Sequence, residues 1–131
     1  WGPGEYDEVQ KIRSLMKNKS YIIPESSLKE MGALLNSCVY LISNDSGPMH
    51  IGASLGVGTL GIYGPTNPHL QGPYGEKNMW VRDETLDCLD CNLTSCPIGN
   101  ICMNDLSVNV VFNAFEKLRN KNKNDHAQKE R

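Results

Sequence analysis

Val39-Tyr40-Leu41-Ile42-Ser43-Asn44-Asp45-Ser46-Gly47-Pro48-Met49-His50-Ile51-Gly52-Ala53-Ser54-Leu55-Gly56, with Thr59-Leu60-Gly61-Ile62-Tyr63 just after it, decides how this chain folds. The apolar run at 39–42 is short and rich in strand formers, and so is the run at 59–63. Between them a polar turn opens a helix that Gly56 closes, so the unit reads strand–loop–helix–strand. Asp45 and Ser46 are natural N-caps, and Pro48 suits the first helical turn because its missing N–H bonds nothing there. Gly47 carries no Cβ, so the backbone can approach a ligand. The free N–H groups and a dipole of about half a charge make such a turn an anion site. His50, one turn further in, can add a donor or a positive charge. The same residues also read as an ordinary capped helix whose histidine packs on a neighbour.

Outward from this unit the pattern repeats. Glu5–Lys17 reads as a helix, with Val9, Ile12, Leu15 and Met16 at 3-to-4 spacing and acidic residues in its first turn. Tyr21-Ile22-Ile23 is predicted as a strand ended by Pro24. Ser26 or Ser27 then caps a helix through Asn36, and Glu30 completes a capping box if Ser27 is the cap. Asn78-Met79-Trp80-Val81 is a further strand. A last helix over Asp105–Leu118 turns Val108, Val111, Phe112, Phe115 and Leu118 inward, after which the pattern stops. The expected fold is α/β, a Rossmann-like parallel sheet flanked by helices, with ligands at the C-terminal edge of the strands. The turns Gly2–Glu5, Pro24–Leu28 and Asn44–His50 are expected on that edge. Gly64-Pro65-Thr66-Asn67-Pro68 is also expected there, opening a long loop of the kind that is often functional. Residues 1–119 read as one domain and 120–131 as a polar, disordered tail. Trp1-Gly2-Pro3-Gly4 reads as a turn that leaves a strand, and no strand precedes it, so the sequence is expected to be a fragment of a longer protein.

At 131 residues the chain can bury roughly two-thirds of its unfolded surface. Net charge is −2 and uneven: residues 1–115 carry 7 basic and 12 acidic side chains, residues 116–131 carry 6 and 3. An acidic body argues against a nucleic-acid partner. The basic end can touch an anionic membrane surface, or be a solvated, frayed terminus. No apolar run approaches the ~20 residues that span a bilayer, and the expected location is cytoplasmic.

Four of the five cysteines fall in one loop, as Cys88-x2-Cys91-x4-Cys96-x5-Cys102. Cys38 is read as a small buried hydrophobe. Four clustered thiols invite a structural zinc, yet ribbon-type sites usually separate their pairs by ~15–20 residues. Zinc, disulfides and reduced packing thiols all stay open, and none makes the segment catalytic.

Asp45-Ser46-Gly47-Pro48-Met49-His50-Ile51 with Ala53, then Gly61-Ile62-Tyr63-Gly64-Pro65-Thr66-Asn67-Pro68, resembles glycosyltransferase family 9, the bacterial ADP-heptose:lipopolysaccharide heptosyltransferases. The resemblance runs from Gly2 to about Leu118. It implies the C-terminal, donor-binding domain of a GT-B glycosyltransferase, one that inverts and requires no catalytic metal or other cofactor. It also implies ADP-heptose or a related nucleotide sugar as donor and the lipopolysaccharide inner core as acceptor. On this reading Ser46 and Gly47 hold the diphosphate and His50 assists. Asp45 orients the turn, Glu5 takes the ribose hydroxyls, the Pro24–Leu28 turn walls the adenine, and the Thr66 turn closes over the sugar. The general base and the acceptor site would belong to an N-terminal half that this chain lacks, so transfer is not expected of the fragment alone. The implied workplace is the cytoplasm, with peripheral attachment at the inner face of the inner membrane as a variant. The chain departs from the family pattern at Gly58, usually proline, and at Gly52, usually alanine. Two readings of other classes are a non-catalytic nucleotide-binding α/β module and a zinc-stabilised interaction domain.

Overall fold

The computed structural model describes residues 1–129, with the side chains of the last helix described as far as Lys123. The chain forms two compact units, Trp1–Met31 and Gly32–Arg131. The elements in order are α1 (Tyr6–Leu15), α2 (Leu28–Asn36), β1 (Tyr40–Asn44), α3 (Gly47–Ser54), β2 (Gly58–Ile62), α4 (Pro68–Gln71), β3 (Met79–Val81), α5 (Ile101–Asn104) and α6 (Val108–Lys129).

The three strands form one parallel sheet in the order β1-β2-β3. Ile42 stands opposite Leu60 and Asn44 opposite Ile62; Leu60 in turn faces Met79, and Ile62 faces Val81. Strand side chains alternate between faces, so this register sends Tyr40, Ile42, Leu60, Ile62, Met79 and Val81 to one side. There Ala114 and Leu118 of α6 pack on Leu60 and Val81, with Tyr40 edge-on to Phe115. The opposite side takes Leu41, Thr59, Gly61 and Tyr63 against α3, whose Met49 is wholly buried. This is the expected Rossmann-like α/β arrangement, with helices on both faces of a parallel sheet. Both departures from the family pattern lie in these contacts. A Cβ on Gly52 would stand 2.5 Å from a Leu41 methyl, and one on Gly58 2.7 Å from Asn122 Nδ2 and 2.9 Å from the Tyr40 ring.

In the first unit, the predicted strand Tyr21–Ile23 does not form. A strand needs a ladder partner, and the Ile23 carbonyl instead accepts the Trp1 indole N–H at 2.6 Å. The capping box is present: Ser27 N–H donates to Glu30 Oε2 at 2.8 Å, and Glu30 N–H donates back to Ser27 Oγ at 3.3 Å. The Ser27 hydroxyl also donates to Glu30 Oε2 at 2.7 Å, and this bond first, with the Ser27 N–H second, holds the Glu30 carboxyl below its ordinary range. The apolar stripe of α1 buries no residue, and Leu15 is 82% exposed.

Two further expectations shift. Cys38 is exposed rather than buried. The last helix continues past Leu118 to Lys129, where Asn122 is buried and donates to the Lys77 carbonyl at 3.2 Å. The predicted tail, 120–131, lies partly outside the described residues. Among the described residues no helix is long and apolar enough to cross a membrane.

Candidate nucleotide-sugar site

β1 and β2 are neighbours and parallel, so the loops that leave them open side by side. Asp45 N–H donates to the Ile62 carbonyl at 3.1 Å, extending the ladder by one step and fixing where α3 begins. Beyond that bond the two motifs meet: the Thr66 hydroxyl donates to Asp45 Oδ2 at 2.6 Å. Asp45 Oδ1 is 3.9 Å from His50 Nε2, an ion pair once the imidazole is protonated, and the His50 side chain is half exposed.

The turn is not capped as the sequence suggests. Ser46 is the N-cap residue, but its side chain bonds no helix amide. Its hydroxyl donates to the Asn44 carbonyl at 3.1 Å and lies 3.2 Å from Ser43 Oγ. Asp45, the other candidate cap, spends its carboxylate on Thr66. Met49 N–H donates to the Ser46 carbonyl at 3.1 Å. Among the described residues the amides of Ser46 and Gly47 find no acceptor, and nothing lies within 4 Å of where a Gly47 Cβ would be. A helix start with unspent donors and open space before it is suited to an anion.

Beside the turn is an open cleft of about 300 Å³ lined by Asn44, Asp45, Thr66, Leu93, Asn100 and Met103, among others. Its floor is the sheet edge and its far wall is the cysteine-rich loop. Tyr63, fully buried, anchors the start of the second motif through a 2.7 Å bond to the Gln71 carbonyl. Burial, helped by the Asp45 carboxylate, pushes its hydroxyl well above the ordinary tyrosine range.

The sequence model of glycosyltransferase family 9 (heptosyltransferase) matches residues 1–102. The chain belongs to glycosyltransferase family 9. Among family 9 relatives, it is 29% identical over 130 residues to lipooligosaccharide heptosyltransferase 2 of Campylobacter jejuni (serotype O:2), covering 95% of this chain and 40% of that protein. It is 29% identical over 97 residues to lipopolysaccharide heptosyltransferase 1 of Pseudomonas aeruginosa, covering 73% and 27%. Against lipopolysaccharide heptosyltransferase 1 of Escherichia coli K12 the identity is 29% over 94 residues, covering 70% and 29%. The chain thus spans at most about two-fifths of the length of these family 9 relatives. No solved structure matches it.

Of the residues singled out from the sequence, Asp45, Ser46, Gly47, His50 and Thr66 come together at one edge of the sheet. Glu5 belongs to the first unit, where its carboxylate accepts the Gly2 N–H and its side chain caps no helix amide. Cys88, Cys91, Cys96 and Cys102 line one cavity of about 80 Å³ behind Pro65. All are free thiols, and among the described residues no three potential ligands are arranged to hold a metal ion. Cys96 Sγ faces the backbone N–H groups of Ile98, Asn100 and Gly99, which favour its thiolate, whereas burial pushes the Cys102 thiol up.

Sequence reasoning missed Arg82, Asp90 and Asn92, which fix the second motif from behind. The one local signal was a charged residue directly after an apolar strand, at Val81-Arg82.

Proposed function

We propose that this chain is the donor-binding part of a bacterial heptosyltransferase that moves a heptose from ADP-heptose onto the inner core of lipopolysaccharide. The observation that carries the proposal is the Asp45–Thr66 bond, which joins the two family motifs around a helix start with two unspent amides.

The chemistry follows from charge. In an inverting transfer the acceptor hydroxyl attacks the anomeric carbon, its proton passes to a base, and the bond to the diphosphate oxygen breaks. Negative charge then grows on the departing ADP. Ser46 and Gly47 N–H groups and the α3 dipole meet that charge in fixed geometry, and His50 adds a side-chain donor. This makes a divalent cation unnecessary at the diphosphate. Asp45 would repel the donor if its carboxylate faced the phosphates; bonded to Thr66 and beside His50, its charge is already engaged. Glu5 is the proposed partner of the ribose hydroxyls. The base, the acceptor site and the balance of the cleft come from residues beyond this chain, so the chain alone binds donor weakly and does not catalyse transfer. The proposed workplace of the whole enzyme is the cytoplasm, with peripheral attachment at the inner face of the inner membrane as a variant.

A calorimetric titration with ADP, UDP and CMP, on the wild-type chain and on His50→Ala, tests the proposal. ADP is expected to bind in preference to the other two, and more weakly to the variant. Equal binding of all three would overturn the adenine assignment, and binding unaffected by His50→Ala would overturn the phosphate assignment.

A further inference from the structure

The cysteine-rich loop has no part in the chemistry above, yet it grips the donor-site turn at several points. Arg82, at the end of β3, has a side chain only 6% exposed. Its Nη1 donates to Asp90 Oδ1 at 2.6 Å and to the Thr66 carbonyl at 3.4 Å, while Nε donates to Glu84 Oε1 at 2.9 Å. The other oxygen of Asp90 accepts from Asn67 Nδ2 at 3.0 Å. Two residues on, the Asn92 N–H donates to the Pro65 carbonyl at 2.9 Å. Pro65, Thr66 and Asn67 are therefore each held once from behind, and Thr66 once more, from in front, by Asp45.

Two features mark this as more than loop packing. Asp90 and Asn92 both have left-handed backbones, with φ of 60° and 52°, a conformation that non-glycine residues adopt at some cost. It presents the Asp90 carboxylate and the Asn92 amide to the same turn. The second feature is charge. A buried guanidinium needs a counter-ion, and Glu84 already supplies one. Asp90 is a second acid on a single cation, and it is the one that also reaches the turn.

We propose that Arg82 and Asp90 are positioning residues, which fix the Pro65–Asn67 turn and, through the Thr66–Asp45 bond, the diphosphate-binding start of α3, and that setting this turn is what the Cys88–Cys102 loop does for the site. The inference rests on the donor-site reading above. Glu84 provides the internal control, since it pairs with the same guanidinium without touching the turn.

The test is ADP titration of the 131-residue chain carrying Asp90→Asn, Asn67→Ser or Glu84→Gln, each below its own melting temperature. Asn67→Ser keeps a cap acceptor for α4 and removes the amide donor to Asp90, and it carries the test if Asp90→Asn does not fold. Asp90→Asn and Asn67→Ser are expected to weaken ADP binding about tenfold, the equivalent of one well-placed hydrogen bond. Glu84→Gln is expected to lower the melting temperature and leave ADP affinity at the wild-type value. A purely structural role would move melting temperature in all three and affinity in none. Wild-type affinity in Asp90→Asn and Asn67→Ser, or an equal loss in Glu84→Gln, would overturn the inference while leaving the donor site standing. Failure of the wild-type chain itself to bind ADP would overturn the donor reading and this inference together.

Discussion

The Thr66 hydroxyl sits 2.6 Å from Asp45 Oδ2, across 21 residues of sequence, and ties the loop after β1 to the loop after β2. That bond turns two separate motifs into one site. It also gives Asp45 a role other than capping: the acid organises the turn, and the helix amides are left for a ligand.

Thr66→Val removes the donor and keeps the shape. Hydrogen bonds to charged groups contribute about 1.5–3 kcal/mol, and Asp45 retains some contact with water, so a loss of stability near the lower end, about 1–2 kcal/mol, is expected from urea unfolding. ADP binding should weaken as well, because the turn loses its front anchor. Thr66→Ser, which restores the hydroxyl, should recover most of both.

His50→Ala should separate binding from stability. The His50 side chain is half exposed, so unfolding should change by less than about 0.5 kcal/mol, as for most surface substitutions. ADP affinity should fall several-fold, and His50→Gln, which keeps a donor, should retain part of it.

The elements that were legible in the sequence are those fixed by neighbouring residues. β1, α3 and β2 follow from two apolar runs and a polar turn between them, and the Ser27–Glu30 box from a three-residue spacing. What was not legible depends on distant partners. Tyr21–Ile23 has strand chemistry, but a strand exists only with a ladder partner. Asp45 looks like a cap until Thr66 arrives from the next loop. Arg82 and Asp90 carry no mark of their role in the local sequence, because the turn they hold lies far from them along the chain. The apolar pattern of the last helix stops near Leu118, yet helical propagation carries it to Lys129, since each added residue gains a bond without a new nucleus.

Gly61 faces α3 in the core. A Cβ there would stand 2.7 Å from both Met49 Sδ and the Tyr63 ring, and both side chains are wholly buried. Gly61→Ala should therefore cost about 1–3 kcal/mol, the usual range for overpacking, measured by urea or thermal unfolding.

The fold should weaken in alkali. Tyr63 and Cys102 both hold their protons above their ordinary values of 10.0 and 9.0, chiefly through burial. As pH rises through those values the unfolded chain ionises first, and stability is lost. Urea midpoints should fall over this window, and Tyr63→Phe, though less stable at neutral pH for want of its bond to Gln71, should show a shallower fall. In the same region Cys96, whose thiolate is favoured by backbone amides, should alkylate at lower pH than buried Cys102, as read by mass spectrometry after iodoacetamide treatment.

The most direct test of the central claim is to follow backbone amide resonances of the ¹⁵N-labelled chain during titration with ADP. If the start of α3 is the diphosphate site, the amides of Ser46 and Gly47 should move first and furthest, with those of Thr66 and His50 following at the same midpoint. Shifts confined to other parts of the chain, with Ser46 and Gly47 unmoved at saturating ADP, would contradict the account.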